Sequence, residues 1–383
     1  MPRVGAIKGS LQPALMRKFL LLVIGGLSFY NLFCQTPEDA LRTAWFIPNG
    51  TARSNSIGGA IGALGGDLSA GYTNPAGLGM YKTQDLVISP GCLFNSNSSN
   101  YRGTLSNNIK SSAFQFGATG AIVEVGSGPK WRGTGSVSSA VSVSINQLAN
   151  YNNRIHYEGS NDYSSYSEQY LDELAQDNAN INAASNNYPF GSSLAFFTYL
   201  VDSLNDPQGN LIGYRSLVPL PIDVMQQYDE IDKGGLYEPS LAVAINDADK
   251  WYFGFSWNFP FSSFTQDIDF TETDASEVDN NNFHYSRLSE HHTVKSHGTN
   301  ARFGLIYRPR RSLRLGFAFH TPSLSCFKDL HVEMTTDTEG YAGTNTSKSS
   351  DFANAAAHIE YDLVTPYKLL ISGCLCISGS SRR

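Results

Sequence analysis

The chain has 383 residues, so its length allows either one large domain or two ordinary ones. Only 16% of the residues are charged, 12% are aromatic and 35 are Gly, a composition that favours strands and turns, and we therefore predict an all-β fold. The formal net charge of -7 excludes a general nucleic-acid binder, because such a protein needs a basic face to displace phosphate counterions.

The first 34 residues have the features of a bacterial export signal. A basic pair at 17–18 precedes an apolar stretch, Phe19–Phe33, that is too short to cross a bilayer core of about 30 Å as a helix. Met16 opens this signal more naturally than Met1, so we predict an over-extended start followed by a signal peptide that is cleaved near Cys34. A lipoprotein anchor at Cys34 is the alternative, and the bulky Phe before that cysteine disfavours it.

Residues 35–84 contain a glycine-rich run, Gly50–Asp67, which is followed by Asn74–Leu78. So many glycines fit neither a long helix nor a regular strand, but they allow tight turns and close backbone contacts. A phosphate-binding loop is excluded, because no Lys-Ser or Lys-Thr pair follows the glycines and no predicted strand precedes Gly58. We predict that 35–84 forms a compact plug.

Residues 85–372 contain repeated alternations of apolar and polar residues, and no apolar run there is long enough for a transmembrane helix. In Lys250–Phe261 an aromatic row alternates with small or polar residues, and the same period of two recurs in Ser136–Asn146, Phe303–Tyr307 and Leu313–His320. A soluble β-sandwich also alternates, but its buried face is rarely so aromatic. We count about ten or eleven strands and predict a transmembrane antiparallel β-barrel with its aromatic rows in lipid.

Polar stretches separate the predicted strands, and we predict Asn95–Asn108, Gln147–Gly191 and Asp267–Asn282 as long extracellular loops. A partly helical loop region, 147–235, contains an apolar stripe at helical spacing in Ser193–Leu204. The stripe residues are Leu194, Phe196, Phe197, Leu200, Val201 and Leu204. Two alternatives stay open for this stripe, which are packing against the barrel rim and a groove that captures a hydrophobic ligand.

Four histidines, His284, His291, His292 and His297, lie close together in the sequence and are candidates for binding a metal or haem iron. His291 and His292 are adjacent, so they point to opposite faces of a strand and make a poor chelating pair. We therefore predict a solvated region with no metal and no cofactor. No Gly-x-Ser-x-Gly motif stands out that would present a nucleophilic serine, so the chain is predicted not to be an enzyme.

The glycine-rich segment is similar to the N-terminal hatch of the FadL/TodX outer-membrane transport family, and Asn74-Pro75-Ala76 matches the Asn-Pro-Ala motif of that hatch. The resemblance continues in Leu194–Asp202, Leu315–Pro322 and Val364–Lys368, and it covers most of 36–370. It implies an all-β, FadL-like barrel of about fourteen strands whose lumen is plugged by the hatch.

The resemblance also implies a function, which is diffusion of hydrophobic small molecules such as long-chain fatty acids or aromatic hydrocarbons across the bacterial outer membrane. The implied partners are this hydrophobic ligand, outer-membrane lipid and the barrel-assembly machinery. We expect a small shift of Asn74, Pro75, Ala76 and Gly77 to open the path. A structural or adhesive outer-membrane barrel and a haem-binding receptor are the alternatives.

The alternation ends after Ser372, and residues 373–383 read as an aberrant tail where family members continue the strand and finish with an aromatic residue. The predicted strands also fall about three or four short of the number that the resemblance implies. The sequence therefore predicts a barrel that lacks its last strands, as a frameshift or a truncation near Gly373 would produce.

Overall fold

The structure is a computed structural model, and the residues that it describes are 41–42, 49–125, 137–176, 180, 182, 187–276, 278–352 and 358–375. The predicted signal peptide, 1–34, lies outside the described residues. The chain divides into two compact units, Met1–Thr43 and Ala44–Arg383, and every element with described bounds belongs to the second. Within the described ranges, no helix has both the length and the apolar character needed to cross a membrane.

Strands make up most of the described residues, which confirms the expectation of an all-β chain. Four short α-helices have described bounds, and they are α1 Ala52–Ser56, α2 Ala70–Thr73, α3 Ser167–Gln176 and α4 Ser192–Phe197. Two 3-10 helices cover Pro75–Met80 and Ser349–Asp351. The strands are β1 Asp85–Val87, β2 Pro90–Tyr101, β3 Thr104–Phe116, β4 Thr119–Val125, β5 Ser138–Asn150, β6 Asn153–Asn161, β7 Val201–Asn205, β8 Leu211–Ser216, β9 Val224–Asp247, β10 Trp251–Asn258, β11 Phe261–Asp274, β12 Tyr285–His297, β13 Asn300–Arg310, β14 Leu313–His320, β15 Leu324–Asp337, β16 Thr344–Lys348, β17 His358–Val364 and β18 Lys368–Leu375.

One large antiparallel sheet contains fourteen of these strands, while β2–β3 and β7–β8 form separate hairpins. The long strand β9 lies at its centre. Two strands, β5 and β6, pair with successive parts of one edge of β9. Two others, β10 and β11, pair with successive parts of its other edge. Further strands pair antiparallel with these and with one another, and they extend the sheet outward from β9.

Most of the long strands are interrupted at one common level, which we call the break line. Its residues are Gly117–Ala118, Tyr151–Asn152, Phe259–Pro260, Gly298–Thr299, Thr321–Ser323 and Thr365–Tyr367. Pro260, Pro322 and Pro366 lack the N–H that a continuous ladder requires. Backbone hydrogen bonds nevertheless cross this level, for example from Gly298 N to Pro260 O at 2.8 Å. The break therefore interrupts the strands without changing which strands are neighbours.

The break line divides the sheet into two halves. The lower half contains β1, β4, β5, β10, β13, β14, β18 and residues 238–247 of β9. The upper half contains β6, β11, β12, β15, β16, β17 and residues 224–237 of β9. The face of the sheet against which the glycine-rich segment packs is called the inner face, and the other is called the outer face.

Several strands occupy stretches that the sequence predicts as loops. The hairpin β2–β3 runs through 95–108, β6 lies within 147–191, and β11 continues to Asp274. The loop prediction is wrong in these places, because both faces of these strands carry many polar residues and an apolar alternation is therefore missing.

Two further elements end at different places from those predicted. The helix α4 ends at Phe197 and β7 begins at Val201, so the helical stripe predicted through Leu204 is helical only in its first part. Strand β18 continues through Gly373 to Leu375, because these residues pair with Leu313–Leu315 of β14. The predicted aberrant tail is thus a regular strand up to Leu375, and 376–383 lie outside the described residues.

Candidate functional site

Apolar side chains cover the outer face of the lower half. On β10, Phe253, Phe255 and Trp257 are 50%, 38% and 51% exposed, whereas Ser256 and Asn258 on the inner face are 0% exposed. Apolar residues of neighbouring strands stand directly opposite one another and form a row through seven strands. This row, the outer belt, consists of Val123, Val141, Val243, Phe255, Phe303, Phe319 and Leu369. Polarity is thus the inverse of that of a sheet in water, which buries its apolar face.

The glycine-rich segment packs against the inner face of the lower half. Its apolar residues Ile61, Leu68 and Leu78 are completely or almost completely buried. They form one core cluster with small and aliphatic residues of β4, β5 and β9, which are Ile122, Ala140, Ala242 and Ala244. Small side chains on the sheet therefore leave room for this segment, and they are the residues that alternate with the outer belt.

The four residues predicted as the hatch lie together at the centre of this contact. Asn74, Pro75, Ala76 and Gly77 are all buried, and a 3-10 helix begins at Pro75. The Asn74 side chain accepts a hydrogen bond from Ala76 N (3.2 Å) and donates to the carbonyl oxygens of Gly62 (2.7 Å) and Leu305 (3.3 Å). Asn74 therefore fixes its own turn and ties it both to the segment and to strand β13.

Two glycines of the sheet let the hatch backbone come this close. Gly254 on β10 and Gly304 on β13 are opposite one another in the ladder. A Cβ at Gly254 would lie 2.1 Å from Ala76 N, and a Cβ at Gly304 would lie 2.1 Å from Asn74 Oδ1. Since both distances are far below van der Waals contact, any larger residue at either position displaces the hatch.

Polar side chains of the inner face anchor the glycine-rich segment through its carbonyl oxygens. His320 Nε2 donates to Thr73 O at 2.9 Å, Ser256 Oγ donates to Gly71 O at 3.2 Å, and the Arg314 guanidinium donates to Leu64 O. Sequence reasoning placed these residues on the inner row but assigned them no role. The signal was available, because Arg314 and His320 are charged or titratable residues in a row of glycine and alanine.

A buried ion pair lies beside these anchors on the inner face. Glu238 of β9 and Arg302 of β13 are 2.5 Å apart, with side chains that are 2% and 7% exposed. The Arg302 guanidinium also lies 5.8 Å from the ring centroid of Tyr72 in the glycine-rich segment. Removing either charge would leave the other buried and uncompensated, so this pair couples two strands to the segment.

The stripe residues predicted as a ligand-capture loop separate into buried and exposed members. Leu194, Leu200 and Val201 are at most 1% exposed, and they belong to an apolar cluster that includes Phe283, just before β12, and Met334 of β15. These three present no surface to an external ligand. Of the other stripe residues, Phe196 is partly buried, whereas Phe197 and Leu204 are exposed.

The predicted histidine group lies on and next to β12, and His284, His291 and His292 each face a carboxylate. His291 Nδ1 is 2.6 Å from Asp267, and His292 Nε2 is 2.9 Å from Glu290. The two adjacent histidines lie on opposite faces of the strand, as their spacing predicts. Within the part of the chain that the structure describes, there is no group of three or more side chains suited to holding a metal ion.

Comparison of the chain with protein-family models, with curated proteins and with solved structures finds no match. The candidate site therefore stands on its own geometry. It consists of a glycine-rich segment that is held by hydrogen bonds on the inner face of an antiparallel sheet whose outer face is apolar.

Proposed function

We propose that the chain is an outer-membrane β-barrel channel, plugged by its glycine-rich segment, through which hydrophobic small molecules diffuse. The observation that carries this proposal is the inverted polarity of the lower half, with aromatic residues outside and Ser, Asn and Gly inside. A transmembrane barrel requires this arrangement, since its outer face contacts hydrocarbon and its inner face is polar.

The energetics favour lipid as the environment of the outer belt. Each Val, Leu or Phe left in water forgoes about 1.5–3 kcal/mol that burial in an apolar medium provides. The belt runs through seven adjacent strands, so its exposure to water would cost on the order of 10 kcal/mol, comparable to the whole stability of a domain. Ladder hydrogen bonds satisfy the backbone of these strands, as hydrocarbon demands.

The plug supports transport over a purely structural role. It fills the inner side of the lower half through discrete hydrogen bonds, such as those of Asn74 and His320, together with one small apolar cluster. Each of these hydrogen bonds contributes only about 1 kcal/mol net where water can replace the lost partner, so a small displacement that admits water opens a path along the inner face. The kind of cargo, long-chain fatty acids or aromatic hydrocarbons, comes from the resemblance to the FadL/TodX family.

The test uses the full chain, purified in detergent and reconstituted into liposomes. We expect uptake of a hydrophobic fluorescent dye above that of protein-free liposomes, and we expect Asn74→Ala to increase the uptake because the hatch turn loses its anchor. Asn210→Ala, in the external turn between β7 and β8, serves as the matched control. Recovery of the chain as a water-soluble protein without detergent would overturn the membrane placement. Unchanged dye uptake by the reconstituted chain would instead indicate a structural or adhesive barrel.

A further inference from the structure

The inner face of the upper half carries an aromatic row directly above an acidic row. The ladder places Tyr157 of β6 opposite Tyr228 of β9, and Tyr228 opposite Phe270 of β11. The rings of Tyr157 and Tyr228 stack with centroids 4.8 Å apart. Glu230 of β9 and Glu290 of β12 follow in the next row, separated by the single strand β11. Two strand spacings separate their Cα atoms by about 9.5 Å, so both carboxylates can reach one small ligand.

Two more tyrosines face these rows from the start of α3. The Tyr166 ring lies 5.2 Å from Phe270 and 5.2 Å from Tyr170, which it meets edge to face. Tyr170 is 1% exposed, and its hydroxyl interacts with the side chain of Tyr166, which is only partly buried. We call Tyr157, Tyr166, Tyr170, Tyr228, Glu230 and Glu290 the tyrosine–glutamate cluster.

The hydrogen bonds of the two glutamates leave negative charge in the cluster. Glu230 accepts from two neutral donors, the Tyr228 hydroxyl at 2.5 Å and Gln266 Nε2 at 3.1 Å. Glu290 accepts from His292 Nε2 at 2.9 Å and keeps a quarter of its side chain exposed. Within the described ranges, neither glutamate forms an ion pair with Arg or Lys.

The field of these carboxylates reaches the tyrosines. Burial raises the pKa of Tyr166, Tyr170 and Tyr228 above the usual value, and the charge of Glu290 raises each of them further. The Tyr228 pKa is also raised by its hydrogen bond to Glu230. A negative potential therefore extends over several aromatic rings that are partly or fully removed from water.

We propose that the tyrosine–glutamate cluster is a binding site for an organic ammonium ion that carries an aromatic or other apolar group. The carboxylates attract the cation, and tyrosine rings stabilise it through their quadrupoles, an interaction that desolvation strengthens. The apolar group packs against Ile268 and Phe270 of β11, which are only partly buried and lie on the same face as Glu230 and Tyr228. A carboxylate, a fatty acid included, is repelled by the same two charges, so among hydrophobic cargo molecules the cluster favours those that carry a cation. The proposal that the cluster binds an organic cation does not depend on the channel. The further step, that such cations are cargo of the channel, rests on the proposed function.

The test measures binding of benzyltrimethylammonium to the purified full chain by isothermal titration calorimetry in a non-ionic detergent. Phenylacetate, a carboxylate of similar size, is the comparison ligand. We expect the cation to bind at least about tenfold more tightly than the carboxylate, since one charge-assisted contact contributes on this order. Glu230→Gln and Glu290→Gln should each weaken binding of the cation about three- to tenfold, and the double variant more. The single variants keep the test valid if the double variant does not fold.

Asp267→Asn and Asp269→Asn are the matched controls. Each removes one negative charge from the outer face of β11, the strand that lies between β9 and β12. They should leave binding unchanged. Equal affinity for cation and carboxylate, or an equal loss in the outer-face controls, would overturn the proposal. Liposome dye uptake is measured on the same preparation. Dye uptake without cation binding would contradict the cation site and leave the channel standing. Cation binding without dye uptake would contradict the channel and leave the cation site standing.

Discussion

The contact between the hatch and strand β10 predicts a strong effect of adding a single carbon atom at Gly254. In Gly254→Ala the new Cβ would lie 2.1 Å from Ala76 N and 2.2 Å from the Pro75 carbonyl carbon. Both neighbours are backbone atoms, so the hatch turn must retreat by about 1.3 Å to restore an ordinary contact of 3.4 Å. Overpacking of this kind costs about 1–3 kcal/mol, which corresponds to roughly a 5- to 150-fold increase in the population with an undocked hatch.

Two measurements on the reconstituted protein check this. The urea midpoint of unfolding should fall in Gly254→Ala, and dye uptake into liposomes should rise because the hatch no longer seals the inner face. Gly373→Ala on β18 is the matched control, since a Cβ there meets nothing within 4 Å. If Gly254→Ala behaves like Gly373→Ala in both assays, the hatch does not lie against β10 and the reasoning fails.

Three further predictions concern the outer belt, the buried ion pair and the buried Glu272 of β11. Phe255→Lys places a charge in the middle of the outer belt, so folding into lipid vesicles should lose about 2–4 kcal/mol in urea titrations, whereas Gln227→Lys on the outer face of the upper half should change it little. Arg302→Gln leaves Glu238 buried without its cation and should cost about 3–5 kcal/mol, part of which Glu238→Gln restores; a smaller loss in the same titration contradicts the pairing. Burial raises the pKa of Glu272 in the native state above its value in the unfolded state. As pH falls, the native state therefore binds a proton before the unfolded state does, and the free energy of unfolding should rise between the two pKa values. Glu272→Gln should abolish that rise in urea midpoints measured between neutral pH and pH about 4.5.

The lower half of the sheet could be predicted from sequence because its two faces differ chemically. Phe253, Phe255 and Trp257 alternate with residues that need to be small or polar, and this period of two is visible without any structure. The exposure of the aromatic members follows the same pattern.

The upper half was predicted only in part: the sequence indicates β12, the middle of β15 and most of β17, but it misses β6, β11 and β16, whose faces are polar or mixed. On β11, Asp267 and Asp269 face outward while Gln266 and Glu272 face inward, so no hydrophobic period marks the strand. What holds this strand in place is pairing with β9 and β12, which are non-local in sequence. Local pattern reasoning does not detect such pairing.

The candidate site was predicted in part. The Asn74–Gly77 turn was identified by resemblance, and its capping by the Asn74 side chain is a local property that asparagine favours. Its partners were not identified, because Gly304 and His320 lie more than two hundred residues further along the chain and only the folded sheet brings them to the turn. The stripe of Leu194 and Val201 was recognised, but the pairing of Val201 with Ser216 in the β7–β8 hairpin and the burial of the stripe against Met334 of β15 were not.

The break line explains why two chemically different halves can belong to one set of strands. Thr321-Pro322 and Thr365-Pro366 interrupt neighbouring strands at the same level, and Thr365 N still donates to Ser323 O at 3.0 Å across the gap. The same edge of β9 stays paired on both sides of the line. Above the line Phe261 of β11 pairs with Tyr237 of β9, and below it Trp251 of β10 pairs with Asp247 of β9. The inner face therefore continues from the small residues that hold the hatch to the tyrosines and glutamates of the upper half. Under the proposed function, a ligand bound at the upper rows would meet the hatch next along the same face, and the hatch contact would then control its passage.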